Sequence, residues 1–131
     1  MTPDFVDPSG LFPGAPYHYA AVASAGRTVF TAGACPLDAD GRVEAPGDLE
    51  AQTRQAVANL FAALAEAGGG VKDVVKTTVF VAGESRADLV AAWDVVEEAF
   101  APARPPSTLL GVSFLGYPDQ LVEIEAIAVI G

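Results

Sequence analysis

The segment at residues 121–130 places the tightest limit on the fold, because it alternates like a β-strand and yet is largely apolar on both faces. One face carries only aliphatic residues: Val122, Ile124, Ala126, Ala128 and Ile130. The other face combines two carboxylates with three aliphatic residues: Leu121, Glu123, Glu125, Ile127 and Val129. A sheet with helices on one side normally shows water a polar second face. The pattern therefore predicts a strand that is covered on both sides.

The rest of the chain predicts neighbours for this strand in the order β-β-α-β-α-β-β. Strand patterns at 17–22 and 27–32 flank a predicted hairpin turn, and further strands are predicted at 74–81 and 108–114. Helical periodicity covers 48–67, which three glycines end, and 85–100, where Ser85 and Asp88 resemble a capping box. Residues 1–16 predict an extended lead-in with turns. We expect one α+β domain, 1–131, with a single mixed sheet and both helices on one face.

The apolar second face of the predicted sheet is expected to be buried against other protein. Hydrophobic residues make up 51% of the chain, which is more than one small core requires. Either other copies of the chain cover the face, or a monomer exposes an unusually apolar surface that would tend to aggregate. The first explanation is the simpler one, and it predicts a homo-oligomer.

Charge and residue counts exclude several classes of function. Seven basic and seventeen acidic residues give a net charge of −10, which repels the phosphates of nucleic acids and anionic membranes. Cys35 and His18 are single, so the sequence predicts no internal disulfide and no cysteine-cluster metal site. The N-terminal residues lack a signal-peptide pattern, and no apolar run is long enough to span a membrane. We expect a cytoplasmic protein.

Four segments resemble the Rid (YjgF) family, which older usage calls endoribonuclease L-PSP. Residues 122–129, Val-Glu-Ile-Glu-Ala-Ile-Ala-Val, resemble its closing signature, and residues 73–81 resemble its central strand. Residues 30–36 are similar to the segment that usually reads Gly-Gln-Ile/Val-Pro, and residues 15–17 to Gly-Pro-Tyr. The likeness runs through almost the whole chain in the right order.

The resemblance implies a chorismate-mutase-like fold and a homotrimer whose sheets pack inward. It also implies three clefts between neighbouring subunits, each of which would bind a small molecule. Family enzymes hydrolyse reactive enamines or imines, such as 2-aminoacrylate, to a keto acid and ammonia, and they need no cofactor. The trimer agrees with the apolar second face inferred from the strand pattern.

One departure from the family pattern bears on the substrate. The family arginine that binds the substrate carboxylate lies in a segment like Arg-Pro-Ala-Arg-Thr/Ser, whereas residues 104–108 read Arg-Pro-Pro-Ser-Thr. Ser107 therefore matches the arginine, and Arg104 matches an earlier basic residue. A serine donates one hydrogen bond but supplies no charge. A shift of register that puts Arg104 in the site remains as the alternative.

Glu123 matches the family glutamate that handles the attacking water, a task suited to a general acid–base. Its alternative is an ionised carboxylate paired across an interface, which is the interpretation favoured for Glu125. We expect Cys35 to be a packed small hydrophobe rather than a reactive thiol. Since strand side chains alternate, His18 is expected to point away from Tyr17.

The resemblance carries four more candidates onto this chain. Tyr17 would line the cleft, or would be a packed ring with a satisfied hydroxyl. Gly33 would let a ligand approach the backbone, or would simply end a strand. The backbone near Leu109 would orient substrate or water. Asp94 would face the cleft from the second helix, or lie on its solvated face, and Trp93 beside it is expected to be core.

Two functions follow, and a third is weaker. The first is an enamine or imine hydrolase with altered substrate choice. The second is a non-catalytic trimer whose clefts bind a small metabolite. The third, a ribonuclease, is disfavoured by the net charge of −10 and by the missing arginine.

Overall fold

A computed structural model describes residues 3–131 and contains two helices and two separate β-sheets. The larger sheet has four strands in the order β3-β6-β4-β5. Its strands are β3 (Arg27–Phe30), β4 (Val74–Val81), β5 (Ser107–Gly111) and β6 (Val122–Ile130). β6 runs antiparallel to both β3 and β4, whereas β5 runs parallel to β4. The sheet is therefore mixed, as predicted, with the C-terminal strand at its centre.

The two helices connect the strands. Helix α1 (Leu49–Glu66) begins at Asp48, whose carboxylate accepts a hydrogen bond from the Ala51 amide at 3.0 Å. It ends before Gly68, whose φ of +93° is a conformation that favours glycine. A single 3₁₀ turn (Val71–Asp73) leads from there into β4. Helix α2 (Arg86–Phe100) supplies the crossover that the parallel pair β4–β5 requires.

The core lies between the helices and one face of the larger sheet. Leu60 and Leu64 of α1 and Ala92 of α2 pack in one cluster with Val79 and Ile124 of the sheet. Each fully buried aliphatic side chain of the size of leucine contributes about 1.5–3 kcal/mol to stability. On β6, alternate residues from Val122 to Ile130 are buried and the intervening ones are partly exposed. The predicted division of this strand into two faces is confirmed.

The second face of the sheet, here called the open face, carries the intervening side chains. Cross-strand pairing places Phe30 opposite Ile127 and Phe80 opposite both Glu123 and Leu110. The Phe30 side chain is 73% exposed. The open face of this chain is thus rich in large apolar side chains, with acidic residues between them, as the sequence pattern indicated.

Three local predictions differ from the structure. The strand predicted at 108–114 is β5, which ends at Gly111, so residues 112–114 lie outside it. The segments predicted as a hairpin at 17–22 and 27–32 do not pair with each other. Instead, β2 (Ala20–Val22) pairs antiparallel with β1 (Asp4–Val6), a strand inside the segment predicted as a lead-in, and the two form a sheet of their own. Ser85 is the N-cap residue of α2, but its side chain makes no capping hydrogen bond; Asp88 accepts from the Glu84 amide at 2.8 Å instead.

Within residues 3–131, no helix is both long enough and apolar enough to span a bilayer.

Candidate active site

The carboxylate of Glu123 lies on the open face and is held by two side chains from different parts of the chain. Its Oε1 accepts hydrogen bonds from the Cys35 thiol at 3.2 Å and from Nε2 of Gln120 at 3.2 Å. Residue 35 reaches this place because the Ala34 backbone exchanges hydrogen bonds of 2.7 and 3.1 Å with Ile124. Glu123 is therefore fixed at one oxygen, in a half-buried position next to the segment that follows β3.

Gly33 lies against the same carboxylate. A Cβ at this position would overlap Oε2 of Glu123 and lie 2.7 Å from its Cγ. Because carbon atoms that are not bonded do not approach so closely, only glycine fits here while Glu123 keeps its conformation. Two of the residues that the sequence proposed as site residues, Glu123 and Gly33, are thus in direct contact.

The Cys35 thiol is half-buried and protonated near neutral pH. Burial raises the pKa of Cys35 to about 11, and the hydrogen bond and negative charge of Glu123 act in the same direction. Thiolate is the reactive form of cysteine. The thiol is therefore poorly nucleophilic, as expected, but the expectation of simple apolar packing is wrong because the thiol donates a hydrogen bond to Glu123.

Glu125 lies two residues further along the open face, opposite Thr78 of β4. Lys76, on the same face, donates hydrogen bonds to the Thr77 carbonyl at 3.1 Å and to Oγ1 of Thr108 at 2.6 Å. Burial lowers the pKa of Lys76, and the charge of Glu125 opposes this shift. Glu125 thus has a cation in its electrostatic neighbourhood, whereas the contacts of Glu123 are with neutral donors.

A second group of candidate residues surrounds a cavity of about 400 Å³ beside β5 and α2. Its lining consists of six uncharged residues: Pro16, Tyr17, Trp93, Ser107, Thr108 and Leu109. The Tyr17 ring meets Trp93 edge to face, with centroids 6.4 Å apart. Trp93, which was expected to be core, packs against the core cluster, but it is only partly buried and also forms part of this wall. Its buried indole Nε1 has no hydrogen-bond partner within residues 3–131.

Ser107 and Arg104 have different surroundings. Ser107 opens β5 opposite Thr77, whose hydroxyl donates to Oγ of Ser107 at 2.6 Å. Arg104 precedes the strand, and its guanidinium donates to the Ala15 carbonyl at 3.2 Å. Arg104 also lines a separate cavity of about 300 Å³ that the N-terminal segment forms with Tyr17 and Tyr19. It does not line the cavity around Ser107.

Two other polar residues lie outside both groups. Asp94 is exposed on α2 and is absent from the lining of the cavity around Ser107. His18 stacks on Phe5, with ring centroids 4.4 Å apart, and its Nδ1 lies 2.6 Å from Asp7. The side chain of Tyr17 instead contacts Trp93 and Tyr19, so the two neighbouring rings have different partners, although residues 17–19 lie outside the strand that was predicted there.

Within one chain, the two groups are not brought together. Glu123 lies opposite Phe80 on the open face. Ser107 and Leu109 of β5 lie on the other face of the sheet, next to Thr77 and Val79 of β4, which face the helices. Among residues 3–131 there is also no cluster of three or more His, Cys, Asp or Glu side chains arranged to hold a metal ion.

Comparison with known proteins identifies the chain's relatives. The family model described as Endoribonuclease L-PSP matches residues 11–130. The chain is 34% identical to the 3-aminoacrylate deaminase RutC of Acinetobacter baylyi over 110 residues, which are 84% of this chain and 85% of that protein. Its fold matches YyfB, a Rid-family protein of Yersinia pestis, with a TM-score of 0.92, 33% identity and coverage of 99% of this chain and 100% of YyfB.

A further relative was solved with a small molecule. TdcF of Escherichia coli, in a structure with bound serine, matches with a TM-score of 0.70 and 31% identity, covering 89% of this chain and 90% of TdcF. The folds of the solved relatives agree with the two helices and the mixed sheet described above. On these grounds, the chain belongs to the Rid (YjgF) family.

Proposed function

We propose that this protein hydrolyses enamines or imines that carry no carboxylate, in a cleft shared by two copies of the chain. The observation that carries the proposal is the uncharged lining of the cavity around Ser107. A substrate carboxylate entering such a cavity would lose its water and find no charged side chain in the lining, which costs several kcal/mol, since Lys76 reaches the cavity wall only through its hydrogen bond to Thr108. A neutral imine loses far less on entry, because tyrosine, serine and threonine hydroxyls can satisfy its polar atoms.

The proposed chemistry needs one group that transfers protons and one water. Glu123 takes a proton from the water as the water oxygen bonds to the imine carbon, and it passes this proton to the imine nitrogen, giving a neutral carbinolamine. The carboxylate then takes the proton of the new hydroxyl group and returns it to nitrogen as the C–N bond breaks and the C=O bond forms. The products are a ketone or aldehyde and ammonia, so one imine and one water are consumed. An enamine first accepts a proton on carbon to become the imine.

The separation of the two groups in one subunit supports a shared cleft. Glu123 and Gly33 lie on the open face, and Tyr17, Ser107 and Leu109 lie around a cavity at the edge of the sheet. In the proposed homotrimer, the open face of one subunit meets the edge of the next, so that each cleft receives one group from each neighbour. This arrangement would also cover the exposed Phe30.

The test of function is an assay of imines generated in situ, in pairs that differ only in a carboxylate. We expect turnover of the neutral member of each pair and weak or absent turnover of 2- and 3-aminoacrylate. A catalytic efficiency on an aminoacrylate of about 10⁴ M⁻¹s⁻¹ or more, typical of dedicated enzymes, would contradict the proposed substrate class.

Replacing Ser107 by arginine tests the role of the uncharged cavity. Ser107→Arg is expected to raise kcat/KM on carboxylate-bearing imines, because each hydrogen bond to a charged group contributes about 1.5–3 kcal/mol. Steady-state assays of paired substrates measure the effect. Ser107→Gln is the matched control, since it adds length and donors without charge and should not help. Equal gains with both variants would show that charge is not the missing feature.

The proposed trimer can be tested on the open face. Phe30→Asp is expected to give folded monomers, because the side chain is 73% exposed in the single subunit but would bring an unpaired charge into an interface. Light scattering gives the mass, and circular dichroism checks the fold. Val90→Asp is the control, since Val90 is 56% exposed on α2. A wild-type monomer, or a Phe30→Asp trimer, would rule out assembly through this face.

The second candidate function is binding without catalysis. The structure of TdcF with bound serine is the observation that favours it. Calorimetry with the neutral imines' stable carbonyl analogues separates the two candidates. Binding without turnover of any imine in the panel would favour this second function.

A further inference from the structure

We propose that Cys35 and Gln120 are positioning residues that hold Oε1 of Glu123, so that Oε2 is the oxygen that carries the proton during hydrolysis. This inference rests on the proposed acid–base role of Glu123. Neither the strand pattern nor the family resemblance suggested that Cys35 or Gln120 positions Glu123. It is carried by the hydrogen bonds around the carboxylate.

The Gln120 amide has its orientation fixed on both sides. Its side chain is 4% exposed, and its oxygen accepts from the Tyr117 amide at 3.1 Å. Its nitrogen donates to the Val122 carbonyl at 3.0 Å and to Oε1 of Glu123 at 3.2 Å. The opposite placement of O and N would set a carbonyl against two acceptors and an NH₂ against a donor, so the network selects one orientation. Gln120 therefore presents a fixed donor to Glu123.

The loop that carries Gln120 is itself tied to helix α1. Gln52 is fully buried, and its oxygen accepts from the Leu121 amide at 2.8 Å. Its nitrogen donates to the Asp119 carbonyl at 2.9 Å. Because residues on both sides of Gln120 are held by the rigid helix, the donor cannot drift away from the carboxylate without breaking buried hydrogen bonds.

Cys35 provides the second donor. The Ala34–Ile124 backbone pair fixes its Cα, and Sγ lies 3.2 Å from Oε1 of Glu123 and 3.6 Å from the Gly33 carbonyl. With a pKa of about 11, the thiol keeps its proton near neutral pH and can only donate to the carboxylate. Oε1 thus receives two hydrogen bonds, while no side chain donates to Oε2 within residues 3–131.

This asymmetry decides where a proton can sit. An oxygen that accepts two hydrogen bonds has little lone-pair capacity left for a proton, so protonation occurs at the other oxygen. Oε2 lies beside Gly33, where the missing side chain leaves the backbone bare. Water would deliver its proton to Oε2, and Oε2 would return a proton to the nitrogen of the carbinolamine. The two donors keep the carboxyl plane from rotating between these steps.

The first experiment needs no substrate. The ultraviolet absorbance of the Cys35 thiolate is followed against pH in the wild type and in Glu123→Gln. Burial of the thiol is the main cause of the raised pKa of Cys35 and persists in the variant, so we expect the midpoint to fall below about 11 but to stay above the ordinary value of 9.0, because only the hydrogen bond and charge of the carboxylate are gone. An unchanged midpoint would show that Cys35 does not contact Glu123, and would overturn the inference whatever the protein's activity.

The second experiment measures kcat and KM on a neutral imine that the wild type hydrolyses. Cys35→Ala and Gln120→Met are expected to lower kcat by about 10- to 100-fold with little change in KM, since misplacing a reacting group by about 1 Å costs on that order. Cys35→Ser restores a donor and should recover most of the loss. Thr53→Val, which removes a 2.7 Å hydrogen bond within α1, controls for stability alone.

The outcomes separate this inference from the function on which it rests. Full kcat in Cys35→Ala and Gln120→Met, together with a large loss in Glu123→Gln, would overturn the positioning role and leave the acid–base role standing. Full kcat in Glu123→Gln as well would remove both. A loss in Cys35→Ala that Cys35→Ser does not recover would indicate packing rather than hydrogen bonding, and would count against the inference.

Discussion

Glu123→Gln is expected to lower turnover of a neutral imine by about 10²–10⁴-fold, the range typical of a general acid–base group. Glutamine keeps the size of the side chain and can still accept from Cys35 and Gln120, but it cannot exchange a proton with water. The described residues offer no obvious substitute in direct contact with it, because the Cys35 thiol has a pKa of about 11 and His18 is stacked on Phe5. Steady-state kinetics on the purified variant measures the loss.

Glu125→Gln is the matched control for this prediction. Glu125 lies on the same strand and the same face, two residues from Glu123, and its charge acts on Lys76. We expect turnover within a few-fold of the wild type. Equal and large losses in both variants would point to the open face as a whole rather than to one acid–base group. Dissociation of Glu123→Gln into monomers would indicate that the residue is structural.

The long elements of the fold could be predicted because their signals are local. Asp48 and the glycines after residue 67 bound α1, and β4 was predicted at the residues where it is found. The two-faced pattern of β6 follows from a period of two, which depends on no distant partner. Such local signals predict whether a segment is a helix or a strand. The arrangement of the segments in the fold was predicted from the family resemblance.

The pairing of the short strands could not be predicted in the same way. An alternating or β-branched run shows that a segment is extended, but not which segment it pairs with. Ala20–Val22 precedes β3 by a few residues and still pairs with Asp4–Val6. The pairing partner of β2 depends on how the N-terminal segment packs, for example on the stacking of Phe5 and His18. This contact leaves no periodic pattern in the sequence.

The site was predicted in part for a similar reason. The resemblance placed Glu123 and Gly33 on the list of candidates, and the fold brings them into contact. The hydrogen bond from Cys35 to Glu123 joins residues 88 positions apart, so no spacing rule could reveal it. The sequence contained one weak indication for Gln120, because it lies immediately before an apolar strand. If its side-chain amide is buried there, it needs hydrogen-bond partners.

Gly33→Ala is expected to reduce turnover about as severely as Glu123→Gln while leaving the subunit folded. The added Cβ would overlap Oε2 of Glu123, so the carboxylate must move away from it. Moving it breaks the hydrogen bonds from Cys35 and Gln120, whose lengths of 3.2 Å leave little slack. The φ of Gly33 is not in the positive range, so alanine strains no backbone there, and the effect should come from the side-chain collision alone.

Kinetics together with the thiolate titration of Cys35 would show whether the collision acts through Glu123. If Gly33→Ala displaces the carboxylate, the titration midpoint should fall from about 11, as in Glu123→Gln, because the hydrogen bond and the nearby charge weaken together. Gly70→Ala is the control, since a Cβ there meets nothing within 4 Å. Wild-type turnover and an unchanged midpoint in Gly33→Ala would mean that Glu123 has room to keep its bonds beside a methyl group. In that case the close contact with Glu123 would no longer explain why glycine occupies position 33. Oε2 would then not be identified as the oxygen of Glu123 that carries the proton.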